Sequence, residues 1–175
     1  MPTIAIVGAS LAGSSAAATL REEGFDGRVV LIGAEPQLPY DRPPLSKNYL
    51  RGMTPFEKTL LRPPDFYRER NIEMRLGTTV VKVDPEKRAL ALQDGDRLEF
   101  DQLLIATGGR NRRFQIPGLD LPGVYDLRTV ADADRIREAM ARGGRAVVVG
   151  MPRKSQRPIR IAAYASSRDI ATWTA

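Results

Sequence analysis

The sequence predicts an α/β fold in which a parallel sheet is covered on both faces. Three features lead to this prediction: short apolar runs that do not alternate with polar residues, a glycine-rich turn that joins the first run to a helical pattern, and a second apolar run one β-α-β unit further on. Three later strand patterns, separated by tight turns, add a small antiparallel meander.

The chain opens with a predicted β-α-β unit of about thirty residues. Thr3–Val7 is a short β-branched run, as expected for a strand buried on both faces. Gly24 is expected to end the helix that follows, and residues 28–32 form the second strand, which stops at Gly33. The helix itself is indicated by apolar residues at helical spacing: Leu11, Ala16, Ala17 and Leu20.

The remaining elements follow a proline-rich loop, LPYDRPPLSK. Short helices are predicted at 46–51 and 64–69, and the meander strands at 79–84, 88–93 and 97–100. The last predicted elements are a buried strand, an amphipathic helix and another buried strand, at 102–106, 132–142 and 145–149.

The first turn, GASLAG, fits the dinucleotide-binding fingerprint at its first and last glycines, Gly8 and Gly13, and carries Ser10 at the middle one. Gly8 would allow the tight turn out of the strand, and Gly13 would let the helix pack closely against the sheet. Free amides and the positive dipole end at the start of this helix favour a pyrophosphate. The sequence therefore predicts a Rossmann-like dinucleotide site, and a tight turn without a ligand is the alternative.

A carboxylate near the end of the second strand would accept hydrogen bonds from an adenosine ribose. Glu35 is the candidate, because Ala34 occupies the position directly after Gly33. The alternative for Glu35 is a solvated loop carboxylate.

Composition narrows the chemistry that the chain can perform. The 175 residues include no cysteine and no histidine. These absences exclude a disulfide scaffold, an iron–sulfur cluster bound by this chain, a redox cysteine pair and a catalytic triad containing histidine. No metal site is predicted, so the chemistry has to come from carboxylates, lysine or a bound cofactor.

The net charge of +6 is concentrated at the end of the chain, since residues 151–175 hold five basic residues and one acidic residue. No aromatic residues are interleaved with the arginines, so nucleic-acid binding is not expected. The first apolar stretch follows no positive charge and is broken by Gly8 and Ser10, which is unlike a secretory signal or a membrane span. We therefore expect a cytoplasmic protein that does not bind membranes, and the oligomeric state stays open.

Five longer motifs occur along the chain: IAIVGASLAG, LPYDRPPLSK, LLRPPDFY, LLIATGGR and LRTVADA. Of these, PYDRPPLSK and LLIATGGR together are far more selective than the glycine turn. In these motifs the chain resembles the N-terminal part of the FAD-dependent ferredoxin reductases that supply electrons to cytochromes P450 and ring-hydroxylating dioxygenases, the group that includes putidaredoxin and rhodocoxin reductases. The resemblance implies an FAD/NAD(P)-binding, Rossmann-like three-layer fold with a small antiparallel meander. It also implies that NAD(P)H would reduce FAD, which would pass electrons singly to a ferredoxin-type iron–sulfur partner.

The resemblance further implies which residues would contact FAD. Lys47 is the candidate catalytic residue, since a cation beside the isoalloxazine ring would stabilise the negative charge of the reduced flavin. The family often has an acid where Ala34 stands, so the ribose role of Glu35 rests on a shift of one residue. The implied contacts are Gly8, Ser10, Leu11, Ala12 and Gly13 at the pyrophosphate, Arg42 and Lys47 in the proline-rich loop, Val80 at the adenine through its backbone, Ala106, Thr107 and Gly108 at a strand end, and Arg128 at the flavin nucleotide.

Each of these assignments has a structural alternative. Arg42 and Lys47 are otherwise solvated loop cations, and residues 107–109 are otherwise an ordinary turn at the end of a strand.

The resemblance stops at Gly150, where the family begins a second glycine fingerprint for NAD(P)H. Here Gly150 is followed by MPRKSQRP and by no further glycine. We therefore expect the N-terminal portion of an FAD-binding domain at 1–120, the start of an NAD(P)-binding domain at 121–150, and an unrelated basic tail at 151–175. Such a chain would be a truncated and catalytically impaired reductase, with a fold incomplete at its C-terminus.

A frameshift would explain the tail. If the codons for residues 154–157 are read from one base earlier, they can encode EVAA. The same one-base shift over residues 162–166 can encode GVRV, at the spacing found in the family that the chain resembles. With or without a frameshift, the apolar strand at 146–149 is expected to lack partners and to favour aggregation. The main alternative is a non-catalytic dinucleotide-binding module whose basic tail engages a partner, and PYDRPPLSK disfavours a flavin monooxygenase fragment.

Overall fold

The computed structural model describes residues 1–111, 117–150 and 160–165. It divides into two compact units. The first unit comprises residues 1–43 and 55–111, and the second comprises residues 44–54 with the described residues from 117 onwards. The candidate basic tail falls largely outside the described residues.

The first unit contains a parallel sheet, a helical layer and a meander. Its elements are β1 (Thr3–Val7), α1 (Leu11–Glu22), β2 (Arg28–Gly33), a 3-10 helix at Phe56–Thr59, α2 (Phe66–Glu69), β3 (Ile72–Leu76), β4 (Val80–Asp84), β5 (Ala89–Leu92), β6 (Arg97–Glu99) and β7 (Gln102–Ile105). The parallel sheet has the order β3-β2-β1-β7, and β4, β5 and β6 form a separate antiparallel sheet. The predicted α/β class and the meander are confirmed.

Alternate residues of β1 and β2 point into two different cores, which produces three layers. On one face, Ile6 and Leu31 are fully buried with Ala17 of α1. On the other face, Val30 is fully buried against Leu90 of the meander. Burial of such a side chain contributes about 1.5–3 kcal/mol, so the strands without polar alternation are explained by a sheet that is covered on both sides.

Helix α1 begins and ends where the sequence predicts. Ser10 is its N-cap residue, and Gly24 follows the helix with a φ of +80°. The N–H of Phe25 donates to the Leu20 carbonyl at 2.8 Å and the N–H of Gly24 to the Arg21 carbonyl at 3.2 Å, the paired bonds of a Schellman end. The predicted β-α-β unit is therefore confirmed.

The predicted helix at 46–51 is wrong. The chain instead forms a 3-10 helix at Pro43–Ser46 and then a run of hydrogen-bonded turns that reaches Gly52, whose φ is +70°. Two consecutive prolines start the helical geometry earlier, because their φ is already fixed and they need no hydrogen-bond acceptor. The helix predicted at 64–69 is confirmed over its last four residues, as α2.

Strand β3 was not predicted. Its sequence IEMRL alternates apolar with charged residues, and Glu73 accepts hydrogen bonds from Arg28 at 2.7 Å and Arg75 at 3.0 Å. This is the pattern of an edge strand whose outer side faces water. The alternation over five residues is a signal that could have identified it.

Two strands predicted to be buried are exposed in the described part of the chain. Leu104 and Ile105 of β7 are 40% and 62% exposed, because β7 lies at an edge of the parallel sheet and pairs with β1 alone.

The second unit contains α3 (Val130–Ala141), β8 (Arg145–Gly150) and β9 (Arg160–Ala165). Strand β8 pairs in antiparallel register with β9, so the expectation of a strand without partners is also wrong.

The side chains of Val147 and Val148 point to opposite faces of β8 and are 62% and 45% exposed. A two-stranded ribbon satisfies backbone hydrogen bonds on one edge of each strand and covers neither face, which explains this exposure. Among the described residues, no helix is both long enough and apolar enough to cross a bilayer.

Candidate functional site

The turns that follow the four parallel strands meet at one edge of the sheet, as carboxyl ends of parallel strands do. Four backbone hydrogen bonds tie these turns together: Gly8 N–H to Ile32 O at 2.8 Å, Ala106 N–H to Val7 O at 2.7 Å, Thr78 N–H to Gly33 O at 2.9 Å and Gly77 N–H to Glu35 O at 3.0 Å. Most of the predicted site residues of the first unit lie in these turns. The sheet therefore brings together positions that are up to about a hundred residues apart in the sequence.

Three glycines permit unusually close backbone approaches at this edge. Gly8 has a φ of +119°, and a Cβ there would lie 2.2 Å from the Ala106 carbonyl oxygen. A Cβ on Gly13 would lie 1.9 Å from the Gly8 carbonyl oxygen, and one on Gly33 would lie 2.6 Å from the Ala9 Cβ. The structural reasons given for Gly8 and Gly13 are confirmed, whereas the packing of Gly33 against the turn was not anticipated.

The N-terminus of α1 is open at this edge. The first intrahelical bond runs from the Ser14 N–H to the Ser10 carbonyl at 2.8 Å, so the N–H groups of residues 11–13 have no partner within the helix. The Ser10 side chain makes no capping hydrogen bond, and the first turn carries no acidic residue. Leu11 and Ala12 are exposed. Unpaired amides at the positive end of a helix suit a phosphate group.

The strand β4 presents backbone groups of Val80 at its free edge. Val80 pairs with Leu92, while the Gln93 N–H donates to the Thr79 carbonyl at 2.9 Å. This pattern makes Val80 and Leu92 a non-hydrogen-bonded pair, in which N–H and C=O point away from the partner strand. Within the described meander β4 pairs with β5 alone, so the Val80 N–H and C=O are directed to the open edge where an adenine could bind them.

Glu35 is not a solvated carboxylate. Its side chain is partly buried, accepts a hydrogen bond from the Tyr40 hydroxyl, and pairs with the Arg42 guanidinium at 2.6 Å. The Arg42 guanidinium also lies over the Tyr40 ring, 5.4 Å from its centroid. The structure thus joins two predicted site residues through a tyrosine that the sequence analysis did not single out. A carboxylate can accept further bonds, so ribose binding is compatible with this arrangement.

The segment after β7 contains the remaining candidates of the first unit. The Ala106 backbone is fixed by its bond to Val7, whereas Thr107 and Gly108 are exposed and Gly108 has a φ of +69°. The close approach of Ala106 to Gly8 places this segment directly beside the glycine turn.

Lys47 and Arg128 belong to the second unit. Lys47 lies in the hydrogen-bonded turns after the prolines and is exposed. Arg128 immediately precedes Thr129, the N-cap of α3, and its N–H donates to the Asp132 carboxylate at 3.1 Å. The roles of both cations beside a flavin stay predictions from the resemblance.

Two further residues in the LLRPPDFY motif were not predicted to matter. The hydroxyls of Tyr67 and Ser14 form a buried hydrogen bond of 2.7 Å, and burial raises the pKa of Tyr67. Arg62 has a buried Nε–H without a hydrogen-bond partner in the described chain, and its guanidinium lies 5.3 Å from the Phe66 ring centroid. The available signal was their position, because both residues lie within one of the segments that match the resembling family.

The pyridine nucleotide-disulphide oxidoreductase family matches residues 2–151 of the chain. Among characterised proteins, the chain is similar to a ferredoxin–NAD(P)(+) reductase of Sphingomonas sp, with 43% identity over 84% of this chain and 36% of the relative. It is also similar to rhodocoxin reductase of Rhodococcus erythropolis, with 41% identity over 85% of this chain and 35% of the relative.

Solved structures show the same similarity. The ferredoxin reductase for the CYP199A2 system of Rhodopseudomonas palustris matches with a TM-score of 0.77 and 38% identity, over 82% of this chain and 35% of that structure. Putidaredoxin reductase in its covalent complex with putidaredoxin matches with a TM-score of 0.72 and 37% identity, over 79% of this chain and 34% of that structure. The chain spans about a third of the length of these relatives.

Proposed function

Because the chain belongs to the pyridine nucleotide-disulphide oxidoreductase family, whose ferredoxin reductases depend on FAD, we propose that it forms the FAD-binding part of an NAD(P)H-linked ferredoxin reductase. The physiological acceptor would be a ferredoxin-type iron–sulfur protein that serves a cytochrome P450 or a ring-hydroxylating dioxygenase. The similarity to reductases of both kinds of system supports this role.

The open N-terminus of α1, enclosed by close glycine contacts, is the observation that carries the proposal. Gly8 and Gly13 leave room where side chains would collide with backbone, so the amides after Ser10 remain accessible to a phosphate. A turn needed for chain reversal alone would not require an uncapped helix end without acidic residues.

The residues divide by the part of FAD that each would hold. The pyrophosphate would lie on the amides of residues 11–13, the ribose would donate to Glu35, and the adenine would pair with the Val80 backbone. When bound, FAD accepts two electrons as a hydride from NAD(P)H and releases them one at a time. The resemblance assigns further FAD contacts to Arg42, Ala106, Thr107 and Gly108, which belong to the first unit, and to Lys47 and Arg128, which belong to the second.

The proposed domain division follows the sequence: FAD-binding residues at 1–120, the beginning of an NAD(P)-binding domain at 121–150, and an unrelated tail at 151–175. Since no glycine follows Gly150, this sequence contains no second fingerprint for a pyridine nucleotide. We expect the polypeptide of this sequence to bind FAD incompletely and to oxidise NAD(P)H very slowly. Rapid bleaching of the flavin absorbance on addition of NADH to the FAD-loaded polypeptide would contradict that expectation.

FAD binding is tested by titrating the purified polypeptide and following flavin fluorescence. Ala12→Glu places a negative charge beside the proposed pyrophosphate, and we expect at least about a tenfold loss of affinity. The fold should persist, because a glutamate in the first turn of a helix is favourable. Thr19→Glu is the matched control: its exposed side chain lies about 10 Å further along α1, and affinity should be unchanged. An equal loss of FAD affinity in Ala12→Glu and Thr19→Glu would refute the proposed site. The absence of any quenching of flavin fluorescence by the unaltered polypeptide would refute it as well.

A further inference from the structure

The loop that carries Lys47, residues 44–54, is a single hydrogen-bonded structure, which we call the lysine loop. The N–H groups of Lys47 and Tyr49 both donate to the Pro44 carbonyl, at 2.9 and 3.1 Å, and the Arg51 N–H donates to the Lys47 carbonyl at 3.1 Å. The backbone of Lys47 is thus tied to that of Tyr49. A displacement of Tyr49 would therefore move Lys47 as well.

Tyr49 connects this loop to α3. Its side chain is 5% exposed, and its hydroxyl donates to the Asp134 carboxylate at 2.7 Å. The Arg137 guanidinium lies 5.4 Å from the Tyr49 ring centroid and 3.6 Å from the same carboxylate. Burial and the hydrogen bond to Asp134 raise the pKa of Tyr49, so the hydroxyl keeps its proton and remains a donor. One aromatic ring is therefore held by an acid and a base one helical turn apart.

Helix α3 also supports Arg128, the other cation assigned to the flavin. The N–H groups of Arg128 and Thr129 donate to the Asp132 carboxylate at 3.1 and 2.8 Å, and the Asp132 N–H donates to the Thr129 hydroxyl at 3.2 Å. This capping box fixes the backbone of Arg128 at the start of α3. Lys47 and Arg128, about eighty residues apart in the sequence, are thus supported by one helix.

We propose that Tyr49 and Asp134 are positioning residues for Lys47: their hydrogen bond holds the lysine loop on α3 and so fixes the point from which the Lys47 ammonium reaches the flavin. The inference rests on the proposed function, in which Lys47 stabilises reduced flavin. Lys47 is exposed, and the length of its four-carbon side chain limits how far the ammonium can lie from the backbone, so the points it can reach depend on where that backbone is held.

The test compares the affinities of oxidised and dithionite-reduced FAD for the polypeptide. Lys47→Met should weaken binding of reduced FAD relative to oxidised FAD about tenfold, through loss of one charge interaction. Tyr49→Phe keeps the ring and removes the hydroxyl bond, and it should reproduce part of that change. The double variant should match Lys47→Met alone, because Tyr49 would act through the lysine.

Tyr67→Phe is the control, since it removes a buried hydroxyl bond in the first unit and should leave the ratio of affinities unchanged. An effect of Tyr49→Phe that persists undiminished in the Lys47→Met background, or no effect on the ratio, would overturn the proposal. FAD binding with no effect of Lys47→Met would likewise overturn it while leaving cofactor binding intact.

A second measurement does not depend on FAD. Amide hydrogen exchange of the free polypeptide should be faster in the lysine loop of Tyr49→Phe than of the unaltered chain, with α1 unaffected. Unchanged exchange in the loop would refute the connection to α3. Absence of FAD binding together with faster loop exchange would contradict the proposed function and still support the connection.

Discussion

The Tyr67 hydroxyl lies 2.7 Å from the Ser14 hydroxyl, and both side chains are buried between α1 and α2. Ser14 stands one turn after the open N-terminus of α1. The bond therefore secures α1 at the end where a phosphate is proposed to bind, although neither hydroxyl can reach water itself.

Tyr67→Phe should destabilise the protein by about 1–3 kcal/mol, because the Ser14 hydroxyl is left buried without a partner. The free energy of unfolding in urea measures this loss. Ser14→Ala in the Tyr67→Phe background should recover part of it, since both polar groups are then absent. A double variant less stable than Tyr67→Phe alone would contradict this explanation, and the exposed Tyr125 provides a control tyrosine whose replacement by Phe should have little effect.

Gly13→Ala should lower the free energy of unfolding by about 3 kcal/mol, at the upper end of overpacking effects, since the new Cβ would lie 1.9 Å from the Gly8 carbonyl oxygen. Helix propensity alone would predict a gain in stability, because alanine is the better helix former. Thermal unfolding distinguishes the two outcomes. Gly109→Ala is the control, as a Cβ at that position meets no atom within 4 Å, and a stabilised Gly13→Ala variant would refute the close contact.

Lowering the pH should destabilise the N-terminus of α3. Partial burial alone would raise the pKa of Asp132, but hydrogen bonds from Thr129, Arg135 and Arg128 outweigh it and lower the pKa below the ordinary 3.8. The bonds stabilise the fold by about 1 kcal/mol above the ordinary pKa, and this contribution disappears as the pH falls through the lowered value. Asp132→Asn should therefore be destabilising at neutral pH, by a difference that shrinks on acidification. A difference independent of pH in urea unfolding would show that the charge of Asp132 has no such role.

Glu35→Gln should weaken ADP binding about tenfold, the amount expected when a hydrogen bond to a charged group is lost. The variant also loses the charge that pairs with Arg42, so affinity alone does not identify the cause. Comparison with 2′-deoxy-ADP separates the two effects: the unaltered chain should prefer ADP, and Glu35→Gln should show a smaller preference. Glu99→Gln, at an exposed position, is the control. An undiminished preference in Glu35→Gln would assign Glu35 to holding Arg42 and not to the ribose.

Local patterns predicted the elements whose neighbours in the fold are also near in sequence. β1, α1 and β2 were predicted within one or two residues, because apolar runs, helical spacing and Gly24 act within the β-α-β unit itself. β3 was missed although IEMRL alternates, since a charged edge strand lacks the apolar run typical of the buried ones. The burial of β7 was predicted wrongly, because an apolar sequence cannot show which strand will lie at the edge of a sheet.

The candidate site likewise combines features that local patterns predict with contacts that only the fold creates. GASLAG alone identified the glycine turn, but the close packing of Gly8 against the Ala106 carbonyl, which leaves no room for a Cβ, joins residues that no local pattern connects. Likewise, the pairing of Glu35 with Arg42 depends on how the proline-rich loop returns to the end of β2.

The amino-acid sequence by itself determined the α/β class, the phosphate-binding turn and the resemblance to ferredoxin reductases, because backbone preferences and selective motifs are properties of neighbouring residues. The tertiary structure decided that β8 has β9 as its partner, that Glu35 is bound by Arg42, and that Tyr49 holds the lysine loop on α3. These are contacts between residues distant in the chain, and their formation depends on packing geometry that single-sequence patterns do not encode.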